Sequence, residues 1–248
     1  MKFLDSPAVP LVGAFLLALV GGGIATHIIS PEEAEPPARP YPQPEALPGW
    51  ARQTIIANAE DGAPIFNQGV GGGASCATCH GEAGIPERQA PYPRLAGLSA
   101  EYVAKQLEDY ASGVRNNEQM TPIARALNGA QRGSVARYVA SLKPAETSLS
   151  AASLDMRGRE LDEVGDNAQA IPACGNCHGL RGRGEGVMLP PLAGQPQAYL
   201  VSQLNAFQER RRQNDTVAVM EGIASRLTPQ DIEAVARYYS SLAPVAAR

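Results

Sequence analysis

The sequence predicts an all-α chain of two tandem helical domains, preceded by one hydrophobic N-terminal helix. Three observations predict it. The second half of the 248-residue chain repeats the first at a period near a hundred residues, a usual single-domain size. Within each copy, apolar residues recur at helical spacing and no alternating strand pattern stands out. Ahead of both copies, Ala8 to Ile29 is a run of 22 residues without a formal charge.

That run is long enough to cross a bilayer core of roughly 30 Å as a helix. With Lys2 left inside, the remainder of the chain faces outward. Residues 1–30 therefore read as a membrane anchor. The alternative is a signal peptide, since Gly23-Ile24-Ala25 offers small residues for cleavage after a fair apolar stretch, Val9 to Val20. Both readings export the chain, to the outer face of the membrane or to the soluble periplasm. Residues 31–49 follow, with prolines from Pro31 to Pro48 among several Glu. This composition gives an extended, semi-rigid tether.

The repeat then divides the chain into domain one, 50–146, and domain two, 147–248. Pro93-Arg94-Leu95-Ala96-Gly97 returns as Pro190-Pro191-Leu192-Ala193-Gly194. Tyr102, Gln106, Leu107 and Tyr110 return as Tyr199, Gln203, Leu204 and Phe207, and Arg137-Tyr138 returns as Arg237-Tyr238. Each domain opens on a short apolar segment read as its first helix, around Ile65-Phe66 in domain one and around Leu161 and Val164 in domain two. Ser99 caps a helix running to about Ser112, with Gly113 as its stop. Thr228-Pro229-Gln230-Asp231 starts the last helix, with Pro at N1 and an acid at N3. Its apolar positions are Ile232, Val235, Ala236, Tyr239 and Leu242, matched by Val135, Tyr138, Val139 and Leu142 in domain one.

Between the first helices and the Ser99-type helices stand two copies of one motif. Cys76-Ala77-Thr78-Cys79-His80 and Cys174-Gly175-Asn176-Cys177-His178 both read C-x-x-C-H, the attachment sequence for c-type haem. Two thiols at this spacing face one porphyrin edge, where each adds to a vinyl group. The following His reaches the iron from the same side. The four Cys of the chain are all used, as are two of its three His; the third, His27, lies in the N-terminal run. Two covalently attached haem c groups follow. Aromatic residues make up only 5% of the chain, so a buried porphyrin in each domain would complete a small core.

One His per haem leaves a sixth position. Of five Met, only Met120 and Met220 occupy equivalent places, 40 and 42 residues beyond their motif His and each three residues before an Ile-Ala pair. They are the expected distal ligands, so iron would be held by His80 with Met120 and by His178 with Met220. His80 and His178 are expected to donate their second ring N–H to the carbonyls of Pro93 and Pro190. A filled coordination sphere suits outer-sphere electron transfer and not substrate turnover.

These residues together resemble the dihaem class I cytochromes c of the cytochrome c4 type. The paired C-x-x-C-H motifs, the Pro-x-Leu-Ala-Gly segments, the Tyr-x-x-x-Gln-Leu helices and Met120 with Met220 carry the resemblance, over about residues 55–243. It implies two cytochrome c folds related by a pseudo-twofold axis and a periplasmic carrier feeding terminal oxidases. Here the N-terminal run would hold the carrier to the bacterial inner membrane. Met120 is followed by Thr121-Pro122, as the family pattern has it, whereas Met220 lacks the following Pro.

Charge narrows the function. Net charge is -4, with domain one carrying nine basic and nine acidic residues and domain two ten and eleven. Nothing in this suggests nucleic-acid binding. The expected role is an electron carrier between a quinol-oxidising complex and a terminal oxidase. The alternative is the cytochrome subunit of a periplasmic dehydrogenase complex. A dihaem peroxidase or a thiosulfate-oxidising enzyme would want a vacated iron or a Cys ligand, which this residue inventory does not offer.

Overall fold

The computed structural model describes residues 47–87, 89–144 and 155–244. The hydrophobic run Ala8–Ile29 and the tether up to residue 46 lie outside the described residues. The end of the expected tether is revised, because Gly49 is already helical.

Domain one consists of α1 (Gly49–Ile56), α2 (Ala59–Gln68), the short motif helix α3 (Cys76–His80), α4 (Ala100–Ser112), α5 (Met120–Ala126) and α6 (Gly129–Ser141). The sequence reading had no α1, which packs on α4 and α6. Ser99 Oγ accepts from the Tyr102 N–H and Gly113 ends α4 in the left-handed region at φ 86°, both as expected. Asn128 and Gln131 form a reciprocal capping box at the start of α6.

Domain two consists of α7 (Met156–Glu163), a two-stranded antiparallel hairpin β1 (Gly165–Asp166) and β2 (Ile171–Pro172), the motif helix α8 (Gly175–His178), α9 (Gln197–Gln208), α10 (Val219–Ala224) and α11 (Pro229–Ser241). The hairpin corrects the purely helical expectation. It replaces the Gly-rich loop Gly69–Ser75 of domain one, and each of its strands is too short to show any alternation. Val164 is also corrected: it is the C-terminal cap of α7 and 66% exposed, so it belongs to no core. Thr228 and Asp231 cap α11 reciprocally with Pro229 at N1.

In each domain the most extensive helix crossing is that of the first core helix with the last, α2 on α6 and α7 on α11. The helices touch through glycine. A Cβ on Gly62 would stand 2.1 Å from Ser134 O, and one on Gly158 would stand 2.3 Å from Ala234 O. Around these crossings lie two separate apolar cores. Phe66, Val103, Leu107, Tyr110, Val135 and Val139 anchor the first. Leu161, Ile171, Leu200, Ile232, Val235 and Tyr239 anchor the second.

Candidate functional site

Each motif is wound into a helical turn that ends on its His. Ser75 caps α3 by accepting from the Thr78 N–H, which fixes where the turn starts. None of the four motif cysteines, Cys76, Cys79, Cys174 and Cys177, is tied up in a disulfide. Before haem attachment, burial pushes the free Cys76 and Cys174 thiols up to about 11. Cys76 and Ala77 lie against the domain-one core, and Cys174 lies against the domain-two core.

The imidazoles are fixed as the sequence predicts. His80 Nδ1 donates to Pro93 O at 2.9 Å, and His178 Nδ1 donates to Pro190 O at 2.9 Å. A carbonyl only accepts, so Nδ1 carries the proton and Nε2 keeps its lone pair for a metal. Burial holds both rings below the usual imidazole range, against the opposing effect of the carbonyl bond. Each ring is therefore neutral near pH 7 and suited to coordinate iron.

Met120 opens α5 and packs against the same core cluster that Cys76 and Ala77 pack against. Its N–H donates to Asn117 Oδ1 at 2.9 Å. Met220 is half-buried at the start of α10, and its N–H donates to Asp215 Oδ2 at 2.6 Å. Met120 stands three positions after Asn117, and Met220 stands five positions after Asp215. That extra length takes Val217 and Ala218 through the left-handed region, at φ 53° and 56°. By contrast Met156 is 73% exposed at the start of α7, on the far side of its domain's motif in sequence.

Three arrangements escaped the sequence reading. The first is Asp162, fully buried beside motif two. It accepts from Tyr238 OH at 3.1 Å, Tyr239 OH at 2.7 Å and the Arg181 N–H at 2.8 Å. The repeat held the signal, since Asp162 stands four residues after Gly158 as Phe66 stands four after Gly62. The second is a polar junction between the domains built from equivalent residues. Arg115 donates to Gln106 at 2.7 Å and Gln203 at 2.5 Å, while Arg212 donates to Gln203 at 2.8 Å and Gln106 at 3.5 Å. Arg115 reaches Tyr199 and Arg212 reaches Tyr102. Each guanidinium also lies over its own domain's ring, Arg115 over Tyr110 at 4.6 Å and Arg212 over Phe207 at 4.4 Å. This exchange of equivalent partners is the mark of a pseudo-twofold axis. The third is Arg94, which with Gln195 ties the two Leu-Ala-Gly segments together. The Arg94 N–H donates to Gln195 Oε1 at 3.0 Å, and Gln195 Nε2 returns a bond to Arg94 O at 2.9 Å.

The donors fit a c-type haem in each domain. Two thiols on one turn, a neutral imidazole with one free nitrogen and a half-buried thioether form the required set. No cluster of His, Cys, Asp and Glu suited to a bare metal ion occurs among the described residues.

The cytochrome c family pattern matches residues 59–147 and 166–243. The thiosulfate dehydrogenase electron acceptor of Stutzerimonas stutzeri (strain A1501) is 38% identical over 193 residues, covering 76% of this chain and 89% of that protein. Cytochrome c4 of Thiocapsa roseopersicina is 37% identical over 173 residues, covering 67% and 86%. Among solved structures, the thiosulfate dehydrogenase of Marichromatium purpuratum aligns with a TM-score of 0.69 at 36% identity, over 74% of this chain. This chain spans 40% of the length of that one. The chain belongs to the cytochrome c family: it is a dihaem electron-transfer protein with two covalently attached haem c groups.

Proposed function

We propose that this dihaem cytochrome accepts electrons one at a time from a dehydrogenase working outside the cytoplasm and hands them on toward a terminal oxidase. The observation that carries this reading is the 38% identity, over 89% of its length, to a protein named as the electron acceptor of thiosulfate dehydrogenase. The second reading is a carrier between a quinol-oxidising complex and an oxidase, favoured by the likeness to cytochrome c4.

In either reading the residues have the same tasks. Cys76 and Cys79 hold one haem and Cys174 and Cys177 the other. His80 with Met120 would hold the iron of one haem, and His178 with Met220 that of the other. When bound, a haem iron ligated on both faces supplies outer-sphere one-electron transfer at a raised potential. Pro93 and Pro190 hold the imidazoles at a fixed tautomer and angle, so the ligand sphere need not rearrange when charge changes. Asn117 and Asp215 fix the backbone entering each distal Met. The Arg115–Arg212 junction keeps the two domains in one arrangement.

Residues 8–29 with the Pro-rich tether would place the domains on the periplasmic side of the inner membrane, within reach of partners in that membrane. Cleavage after Ala25 would instead release a soluble periplasmic carrier.

Mixing the oxidised protein with a thiosulfate dehydrogenase and thiosulfate tests the choice. Reduction of both haems on the timescale of turnover is expected. Failure there, with rapid reduction by a quinol-oxidising complex, would select the second reading.

A further inference from the structure

Arg94 is the most deeply buried cation among the described residues, at 2% exposure, and no Asp or Glu among those residues pairs with it. Its Nη1 donates to Ala96 O within its own domain and its Nη2 donates to Ala193 O of the other domain at 2.9 Å. Its Nε is buried and has no acceptor. Burial alone depresses the group to about 10, which still leaves it charged near neutral pH. A buried charge with carbonyl partners only, and with one donor unused, is costly unless an anion completes it. The duplication shows that the arrangement is specific to one domain: the equivalent position in domain two is Pro191, which brings no charge.

Two further features say what the anion is. Arg94 directly follows Pro93, whose carbonyl holds the His80 ring, so its backbone borders the pocket of the haem bound in domain one. Each haem brings two propionates, and a carboxylate matches the planar donor edge of a guanidinium.

We propose that Arg94 binds a propionate of the domain-one haem at the domain junction, making that haem's carboxylate part of the contact between domains. The assignment rests on the reading that Cys76, Cys79 and His80 hold a haem. It adds that Arg94 is a positioning residue, which fixes the haem's edge and, as a buried positive charge beside it, raises its reduction potential. The Nη2 bond to Ala193 O then links haem one to the backbone of domain two.

Two measurements test this on the full chain. In the ferrous wild-type protein, nuclear Overhauser contacts are expected between the Arg94 Nε–H and the methylene protons of one haem propionate. Resolved Arg94 signals without such contacts would overturn the proposal, and this holds even if variants fold poorly. Redox titration of Arg94→Gln should show the potential of one haem lowered and that of the other unchanged, while Arg94→Lys keeps most of the wild-type value. Unchanged potentials in Arg94→Gln, or equal shifts in both variants, would also overturn it. Pyridine haemochrome analysis separates the two claims. Fewer than two haems in the wild type removes the underlying reading, whereas two haems with an unmoved potential removes only the role of Arg94.

Discussion

At motif two, Asp162 fills the place that Phe66 fills at motif one, so the two haem pockets differ by a buried charge. The Asp162 side chain accepts from the Tyr238 and Tyr239 hydroxyls and from the Arg181 N–H. Its Oδ1 approaches the motif itself, since a Cβ on Gly175 would lie 3.1 Å from it. A negative charge there stabilises the oxidised haem. Asp162→Asn should therefore raise the potential of haem two and leave haem one in place, and redox titration reads this directly. Replacing one acceptor oxygen by an amide also leaves a buried hydroxyl without its partner, at a cost of about 1–3 kcal/mol in denaturant unfolding. The distal ligands are tested at the same scale. Met120→Ala and Met220→Ala should each remove about half of the ferric thioether-to-iron absorption band and open one haem to cyanide. Unchanged spectra in both variants would mean that other residues close the axial positions.

Helices whose ends carry their own signals were legible in advance: Ser99 and Gly113 bound α4, and Thr228 with Asp231 starts α11. What stayed hidden depends on partners distant in sequence. The β1–β2 hairpin has two residues per strand, and α1 is stabilised by packing on α4 and α6 and has no side-chain N-cap bond. Gly62 and Gly158 are poor helix formers by propensity, and they are the places where the paired helices touch. Gly62→Ala or Gly158→Ala should cost about 2–3 kcal/mol in unfolding experiments, because the facing atoms are backbone and cannot step aside. The hairpin belongs to a charged knot in which Arg157 reaches Asp166 at 2.7 Å, Asp231 at 2.8 Å and Glu160 at 2.9 Å. The Arg157 bond holds Asp166 below the usual carboxylate range. Asp231 is also held low: burial opposes this, and the bonds from Thr228 and Arg157 outweigh it. Carboxylates depressed in the folded state stabilise it above their unfolded value, near 3.8, and that stability is lost as pH falls through the lower folded values. Melting of domain two should thus weaken below about pH 4. In Arg157→Gln the midpoint at pH 7 should fall and this acid-limb dependence should flatten.

Across the whole molecule, the tandem repeat announced two domains but not the way they meet. Gln106, Gln203, Tyr102 and Tyr199 could be read from sequence as repeated helix positions, and only their exchange across the axis reveals them as the junction. The same residues serve two ends: they sit on α4 and α9, whose apolar sides fill the cores, and their polar ends meet between the domains. The junction concentrates positive charge. Arg115 is buried at 5% exposure, and its acceptors are neutral amides and hydroxyls. Hydrogen bonds from a charged donor are worth about 1.5–3 kcal/mol each, and stranding such a donor costs more. A double variant, Gln106→Leu with Gln203→Leu, removes the acceptors shared by both arginines while leaving both haem-binding motifs untouched. Scanning calorimetry should then replace one cooperative transition by two, because each domain retains its own helix crossing and its own haem but no longer gains from the other. The haem count should stay at two, and electron exchange between the haems should slow as the domains lose their fixed arrangement. A single transition at the wild-type temperature would mean that the domains are coupled through the contacts the variant leaves in place, the Arg94–Gln195 pair and the bonds of Asn214 with Lys105 and Asp109.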